Sequence, residues 1–366
     1  MKKPWIAPLW ALLLASLAPA VSGQTFNEHP LIVPASAPRG IAAGPDNNLW
    51  FTENGNNAIG RMSTSGVVLD FPLPSSGRAP DGIVAGPDGA MWFTESGGNK
   101  IARITTGALF TEYPPGKITE FSLLTANAAP AGIALGPDRL LWFTEASANK
   151  IGRMTTAGVV TEFPIPTPAS QPDRIAVGPD GNLWFTENIG NKIGRITPAG
   201  VITEFPVSTA ASTPAGIAAG PDGNLWFTER TANKIGRMTP SGAVTEFAIP
   251  TVSSGPEGIT AGPDGNLWFA EKAANKIARI TPGGQIVEYA VPTPGSEPLG
   301  VTVGPDGRIW FTEQQGNQLG RFTFQATTPT PTRTPGIPVP TPTSPARGRV
   351  TPVFAPTPIS SINGRQ

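Results

Sequence analysis

Cysteine is absent from the 366 residues of the chain. A chain without cysteine forms no disulfide and offers no thiolate as a nucleophile or as a ligand for a soft metal ion. Histidine is nearly absent too, since His29 is the only one in the sequence. Imidazole is the side chain best suited to exchange protons near neutral pH, so chemistry that needs several histidines is excluded.

An excess of basic charge is also missing. Lysine and arginine together number 26, and so do aspartate and glutamate, which gives a formal net charge of zero. The first 23 and the last 41 residues hold six of the basic residues and no acidic ones, which leaves a net charge of −6 on the body of the chain. A mildly acidic body without a basic stripe argues against nucleic acid as a partner.

Residues 1–23 form a leader with a charged start and an apolar middle. Lys2 and Lys3 precede an apolar run that ends in small residues, with Ala18–Ala20 and Val21–Gly23 as candidate cleavage sites. This pattern predicts a secretory signal peptide and a secreted or cell-envelope protein, with an uncleaved anchor as the alternative. No other apolar stretch approaches the ~20 residues that span a bilayer, so no membrane span is expected after cleavage.

The last 41 residues, 326–366, form a tail rich in proline and threonine. Ten prolines fall within it, and such a segment has too few backbone donors to join a sheet and too little apolar surface to fold. We predict a disordered tail, which serves either as an extended stalk or as a plain end without a role. The folded body is therefore expected to span residues 24–325.

The body contains seven copies of one repeat. The spacing of the Gly-Pro-Asp motif is 42 residues everywhere except for one interval of 50 between the second and third copies. The glycines are Gly44, Gly86, Gly136, Gly178, Gly220, Gly262 and Gly304; the tryptophans that follow are Trp50, Trp92, Trp142, Trp184, Trp226, Trp268 and Trp310. A glutamate lies three residues after each tryptophan, and an arginine lies eight residues after each glutamate.

Each repeat reads as four short strands. In the fifth copy they cover residues 214–220, 224–229, 234–240 and 243–250, with a Pro-Asp-Gly turn after the first and a four-residue loop after the second. Four antiparallel strands per ~42 residues are typical of a propeller blade. The sequence therefore predicts an all-β, seven-bladed β-propeller, with the eight-residue insertion around 109–117 lengthening one outer hairpin.

The two ends of the body are complementary. The seventh repeat stops after residues 318–324 and lacks a fourth strand, whereas residues 25–30 precede the first repeat and align with 201–206, so that Glu28 falls on Glu204. We therefore predict that the N-terminal strand completes the last blade and closes the ring. A closed ring with no open edge is expected to be a monomer.

The recurrent tryptophan, glutamate and arginine are predicted to be structural, because seven copies do not fit one active site. In the fifth repeat, Glu229 should face Lys234 and Trp226 should face Arg237 as cross-strand pairs with cation–π contact.

One position that varies between repeats is more informative about function. It follows the proline at the start of the innermost strand and should ring one mouth of the central channel; its occupants are Arg39, Asp81, Ala131, Asp173, Ala215, Glu257 and Leu299. Glu297 lies two residues before Leu299. Asp81, Asp173, Glu257 and Glu297 are the candidate ligands for Mg²⁺ or Ca²⁺, and a merely polar, solvated mouth is the alternative.

Segments such as GPDGNLWFTE, NKIGRIT and VTEFPIPT closely resemble the virginiamycin B lyase (streptogramin lyase) family over residues 25–325. The resemblance implies a seven-bladed propeller and a Mg²⁺-dependent elimination that opens the lactone of streptogramin B antibiotics. It also implies a histidine base at the positions of Glu257 and Leu299 and glutamates at those of Glu297 and Gln314.

Two classes of function follow from this comparison. The first is a binding module that takes an unknown ligand or protein at the channel mouth without the family's histidine base. The alternative is a Mg²⁺-dependent carbon–oxygen lyase or a lactonase-like enzyme, in which Glu257 and Glu297 are the candidate catalytic residues.

Overall fold

The computed structural model describes residues 25–107 and 115–324, and every regular element in these ranges is a β-strand. The predicted signal peptide and the predicted tail lie outside the described residues. No helix long and apolar enough to cross a membrane occurs in the described ranges.

Twenty-eight strands form seven four-stranded antiparallel sheets, as the repeat predicts. Blade 1 contains β2 (Pro38–Ala43), β3 (Leu49–Glu53), β4 (Ala58–Met62) and β5 (Val68–Pro72); blade 2 contains β6 (Pro80–Ala85), β7 (Met91–Glu95), β8 (Lys100–Ile104) and β9 (Ile118–Ser122). Blade 3 contains β10 (Pro130–Leu135), β11 (Leu141–Glu145), β12 (Lys150–Met154) and β13 (Val160–Pro164); blade 4 contains β14 (Pro172–Val177), β15 (Leu183–Glu187), β16 (Lys192–Ile196) and β17 (Ile202–Pro206). Blade 5 contains β18 (Pro214–Ala219), β19 (Leu225–Glu229), β20 (Lys234–Met238) and β21 (Val244–Ala248); blade 6 contains β22 (Pro256–Ala261), β23 (Leu267–Glu271), β24 (Lys276–Ile280) and β25 (Ile286–Ala290).

Blade 7 joins the two ends of the described chain. It contains β26 (Pro298–Val303), β27 (Ile309–Glu313), β28 (Gln318–Thr323) and, as its outer strand, β1 (Thr25–Pro30). β1 pairs antiparallel with β28 in a continuous register from Thr25↔Thr323 to Pro30↔Gln318. Glu28 accepts hydrogen bonds from the amide and hydroxyl of Thr293, both at 2.9 Å, as Glu204 does from Thr167. The predicted closure of the ring is confirmed.

The recurrent tryptophan anchors each blade. Trp226 is fully buried, and its Nε1 donates to Asp222 in the Gly-Pro-Asp turn at 3.0 Å. Trp226 lies opposite Arg237 in the register, and the guanidinium lies 5.7 Å from the centre of the indole ring. Phe247 stacks on the same indole at 5.7 Å. The predicted cross-strand pair is confirmed, and its cation–π contact adds to the packing of the blade.

The innermost strands lie so close together that a glycine is needed where they meet. A Cβ on Gly216 would lie 2.3 Å from the carbonyl oxygen of Glu257 on the next blade. The Gly216 amide donates to Thr228 Oγ1 at 2.8 Å, and that hydroxyl donates to the same carbonyl at 2.7 Å. Threonine makes this bridge in six of the seven blades, and blade 6 has Ala270 in its place. The bridge therefore holds the backbone of every residue of the channel-mouth ring except Leu299.

The 50-residue interval lies between β8 and β9. Gly116 donates its amide to the carbonyl of Thr105 at 2.9 Å, so the insertion extends the turn between the third and fourth strands of blade 2. Residues 108–114 lie outside the described residues.

Candidate functional site

The top face of the propeller, as we define it, carries the loops after the second strand of each blade, such as residues 230–233, and the loops before each first strand. The central channel opens there, and a cavity of ≈ 220 Å³ lies inside it. Its wall is made of the Gly-Ile or Gly-Val pairs of the innermost strands, together with Arg39, Arg174, Glu257 and Leu299.

An arginine reaches across the channel from blade 4. Arg174 occupies the position that is glycine in the other six blades, and its guanidinium donates to Asp81 Oδ1 of blade 2 at 3.1 Å. Arg39 of blade 1 lies 3.2 Å from the same oxygen, so two guanidinium groups hold Asp81, which is 6% exposed. Burial lowers the pKa of Arg174, but the charges of Asp81 and Asp173 outweigh burial and raise that pKa above its ordinary value.

Asp173 is held on the other side of Arg174. One of its oxygens lies 3.5 Å from Arg174 Nε, and the other accepts a hydrogen bond from Asn188 Nδ2 at 3.4 Å. Both aspartates of the predicted metal set therefore take their counter-charge from the protein.

A groove of ≈ 450 Å³ lies beside the channel mouth, between the loops of blades 5, 6 and 7. Its charged lining consists of Arg230, Glu257, Lys272 and Glu297. Arg230 donates to Glu257 at 2.8 Å, and although burial lowers the pKa of Arg230, this hydrogen bond raises it overall. Lys272 Nζ lies 3.3 Å from Glu297, so each glutamate of the groove has a basic partner.

Glu297 lies on an uncommon backbone conformation at the end of the loop before β26. Glu297 has a φ of 54°, in the left-handed region, as does every residue that precedes the first proline of a blade. This conformation is costly for a residue with a side chain. Lys272 also donates to Gln314 Oε1 at 2.8 Å, so the structure joins Glu297 and Gln314 through one ammonium group. Leu299, on the same blade, is 7% exposed and supplies only apolar surface.

The donor set at the mouth does not fit a divalent cation. Each of the four predicted ligands, Asp81, Asp173, Glu257 and Glu297, is paired with arginine or lysine. In the part of the chain that the structure describes, no three acidic or histidine side chains lie close enough to hold a metal ion. A Ca²⁺ or Mg²⁺ ion needs several free oxygen ligands at one point, so we derive no chemistry through a metal here; binding of either ion stays a prediction.

His29 lies on the outer strand of blade 7, away from the channel. Its ring stacks on Trp310 at 5.3 Å, at the place where Phe205 stacks on Trp184 in blade 4. Its Nε2 is buried without a hydrogen-bond partner. Burial and the charge of Arg321 lower the pKa of His29, which favours the neutral ring in the folded protein.

The top face covers a ring of buried glutamates that sequence reasoning treated only as strand-pairing residues. All seven have no exposed surface: Glu53, Glu95, Glu145, Glu187, Glu229, Glu271 and Glu313. Burial is the main cause that raises the pKa of six of them to about 7 and that of Glu271 to about 8. Glu229 lies opposite Lys234 in the register as predicted, but the ammonium donates to Glu246 on the outer strand at 2.7 Å.

Among known proteins, the chain is similar to members of one enzyme family. The model of the virginiamycin B lyase family matches residues 18–115 and 114–322. A 49-residue segment is 49% identical to the virginiamycin B lyase of Bordetella parapertussis (strain 12822), and this match covers 13% of the chain and only 16% of the Bordetella protein.

Two solved structures match over almost their whole length. A streptogramin B lyase is 38% identical, with 84% of this chain and 99% of that chain covered and a TM-score of 0.78. A catalytically inactive histidine-to-alanine variant of virginiamycin B lyase from Staphylococcus aureus, with quinupristin, is 40% identical over 83% of this chain and 100% of its own, also with a TM-score of 0.78. Together with the seven-bladed fold, these matches establish that the chain belongs to the virginiamycin B lyase family.

Proposed function

We propose that this propeller is a binding member of the family, which holds a ligand in the groove of Arg230, Glu257, Lys272 and Glu297 without opening it by elimination. The observation that carries the proposal is the lack of a free base at the two positions where the resemblance implies histidine. Glu257 is bound to Arg230 at 2.8 Å, and Leu299 has no group that accepts a proton.

Elimination from a lactone requires a base that removes a carbon-bound proton, and a well-placed base typically contributes 10²–10⁴-fold, an order-of-magnitude range. A carboxylate that already accepts a hydrogen bond from guanidinium is a poor substitute for imidazole, because the ion pair must be broken before the oxygen takes up a proton. The two positions where the resemblance implies glutamates are likewise occupied: Lys272 donates a hydrogen bond to Gln314 and pairs with Glu297.

The groove is suited to a ligand that carries both charged and neutral polar groups. Two cations and two anions line its wall as two ion pairs, so a ligand that offers an amine and a carboxylate, or several amides, could exchange these internal pairs for its own. Only a small number of directed polar groups is needed to orient a ligand in such a cleft.

The experiment uses quinupristin as the probe. The purified protein is incubated with quinupristin and Mg²⁺, and the products are separated by chromatography and weighed by mass spectrometry, while binding is measured by calorimetry. Elimination gives a linear product with the mass of the parent, and hydrolysis gives one that is heavier by one water. We expect binding that is weakened in Lys272→Ala but not in the control Arg139→Ala, and no linear product above the antibiotic-only background.

The alternative function, a carbon–oxygen lyase, is favoured by the end-to-end match with solved lyases. Appearance of the elimination product, abolished by Glu257→Gln, would establish it and refute the binding proposal. A hydrolysed product would indicate a lactonase instead.

We also propose that the protein acts outside the cytoplasm, because residues 1–23 have the composition of a signal peptide. Mass spectrometry of the mature N-terminus tests this. Cleavage after Ala20 or Gly23 is expected, and an intact Met1 in exported protein would contradict it.

A further inference from the structure

Five of the seven blades pair a lysine ammonium with the carboxylate of the outer strand beneath the top face, and the buried glutamate of the second strand lies opposite that lysine in the register. In blade 5, Lys234 Nζ donates to Glu246 Oε2 and to Thr209 Oγ1, both at 2.7 Å, and Glu229 lies opposite it in the register. The equivalent lysines are Lys100, Lys150, Lys192 and Lys276. In blade 7 the amide of Gln318 takes this place and donates to Glu313 and Thr293, both at 2.9 Å.

Blade 1 keeps the two carboxylates but not the donor. Ala58 lies opposite Glu53 in the register, where the other blades have lysine or glutamine, and it is 1% exposed. Asp70 lies opposite Gly60, as Glu246 lies opposite Gly236 in blade 5. Blade 1 therefore has one positive charge fewer than the lysine blades at the same place in the fold.

Both carboxylates of blade 1 have an oxygen without a hydrogen-bond partner, a property that the buried glutamates of the other blades share. What blade 1 lacks is the lysine or glutamine donor beside them. Glu53 is fully buried; its Oε2 accepts from Asn56 at 2.8 Å, and its Oε1 has no hydrogen-bond partner. Asp70 Oδ1 is buried and also without a partner. Burial raises the pKa of both groups, and the charge of Asp70 raises that of Glu53 further. A buried carboxylate without a counter-charge is costly.

We propose that Glu53 and Asp70 bind a monovalent cation of ammonium size, NH₄⁺ or K⁺, at the place that the lysine Nζ occupies in five other blades. Alanine lacks the three terminal methylenes and the ammonium of lysine, so the side chain of Ala58 does not itself fill the place of that ammonium. Potassium and ammonium ions have similar radii, and carboxylate oxygens suit both. The ion replaces the single positive charge of a lysine ammonium, whereas Ca²⁺ brings two charges and is held by directed oxygen ligands at about 2.3–2.6 Å.

The test is thermal unfolding of the full chain in chloride salts of NH₄⁺, K⁺, Na⁺ or tetramethylammonium at constant ionic strength and pH 8. A ligand that binds only the folded state stabilises it in proportion to the logarithm of its concentration above Kd. We expect the Tm to be roughly 2 °C higher in 100 mM NH₄⁺ or K⁺ than in tetramethylammonium, an order-of-magnitude shift for a weak site in a large domain.

Three variants assign the effect to blade 1. Ala58→Lys installs the missing ammonium and should raise the Tm in tetramethylammonium while abolishing the difference between salts. Asp70→Asn, which changes one atom, should abolish the difference even if the lysine variant folds poorly. Lys234→Ala is the matched control, because it removes the ammonium beside Glu229 and Glu246 in blade 5 and should enlarge the response to NH₄⁺.

Crystals grown with Rb⁺ in place of K⁺ give a direct readout, with an anomalous peak expected between Glu53 and Asp70. Equal melting temperatures in all four salts would overturn the proposal and indicate that the two carboxylates share a proton. A response to NH₄⁺ that persists in Ala58→Lys, an anomalous peak elsewhere only, or stabilisation by Ca²⁺ but not by K⁺ would overturn it as well.

Discussion

The ring of seven buried glutamates should make the propeller less stable as the pH rises through neutrality. Glu229 illustrates the cause: it has no exposed surface, and burial, followed by the charge of Glu246, raises its pKa from 4.5 to about 7. In the unfolded chain the carboxyl returns to its ordinary pKa. The folded state thus binds more protons between those two values, so this stabilisation is fully present below pH 4.5 and is lost as the pH rises through about 7.

The magnitude for Glu229 alone follows from the pKa difference. Each unit of pKa difference between the folded and unfolded states is worth about 1.4 kcal/mol. For a group that titrates near pH 7 in the folded state, the stabilisation lost between pH 6 and pH 8 is roughly 1 kcal/mol. Glu229→Gln keeps the shape of the side chain and removes the titration. Between pH 6 and pH 8, the free energy of unfolding should therefore fall by about 1 kcal/mol less in the variant than in the wild type.

The assay is equilibrium denaturation by guanidinium chloride at pH 6, 7 and 8. Asp180→Asn is the matched control, since hydrogen bonds from Trp184 and Asn182 overcome burial and lower the pKa of Asp180; it should cost the same free energy at all three pH values. An equal loss between pH 6 and pH 8 in the wild type and in Glu229→Gln would refute the reasoning, because it would mean that the carboxyl is already ionised in the folded protein at pH 6.

Three further predictions concern the closing strand and the channel mouth. Burial and Arg321 lower the pKa of His29, so the stability that the neutral imidazole contributes is lost as the pH falls below 6.5, the ordinary pKa of histidine. His29→Phe should remove this loss and give a smaller drop in Tm from pH 7.5 to pH 5. An unchanged drop in Tm would contradict the prediction. Deletion of residues 25–30 exposes the edge of β28 and should lower the Tm by at least 10 °C, an order-of-magnitude figure for losing a strand; melting at the wild-type temperature would disprove closure by this strand. Installing histidine at both Glu257 and Leu299 should produce linear quinupristin by chromatography if the scaffold lacks only its base, whereas continued inactivity would point to the ion pairs as a second obstacle.

The fold could be predicted from the sequence because each blade is built by contacts within one repeat. The tryptophan, the turn aspartate and the facing arginine recur at fixed offsets, and Trp226↔Arg237 in the register follows from the length of the loop between two strands. Closure could be predicted although its partners lie far apart in sequence, because residues 25–30 align with the outer strand of a repeat and Glu28 takes the place of an outer-strand glutamate. Local spacing is sufficient wherever the partners belong to one hairpin.

The charge pairing at the channel mouth could not be predicted in this way. The bond between Arg174 and Asp81 joins blades 2 and 4, and its formation depends on the width of the channel and on an arginine at a position of close backbone approach. The sequence placed Asp81, Asp173 and Glu257 on one ring correctly but did not show that arginines neutralise them. One signal was available, namely the replacement of the repeat's glycine by Arg174.

The origin of blade 7 from both ends of the chain has a consequence for folding kinetics. Arg321 donates to Asn27 across 294 residues of sequence, so the last blade depends on contacts of very high sequence separation, whereas each other blade is complete within its own repeat. Folding slows as contacts become less local. During synthesis β1 emerges first yet finds its partner only after β28 has left the ribosome. Six blades can assemble while the chain grows. Until β1 docks on β28, the unfinished ring exposes an unpaired strand edge to other chains, so the rate of that docking sets how long the chain is at risk of aggregation.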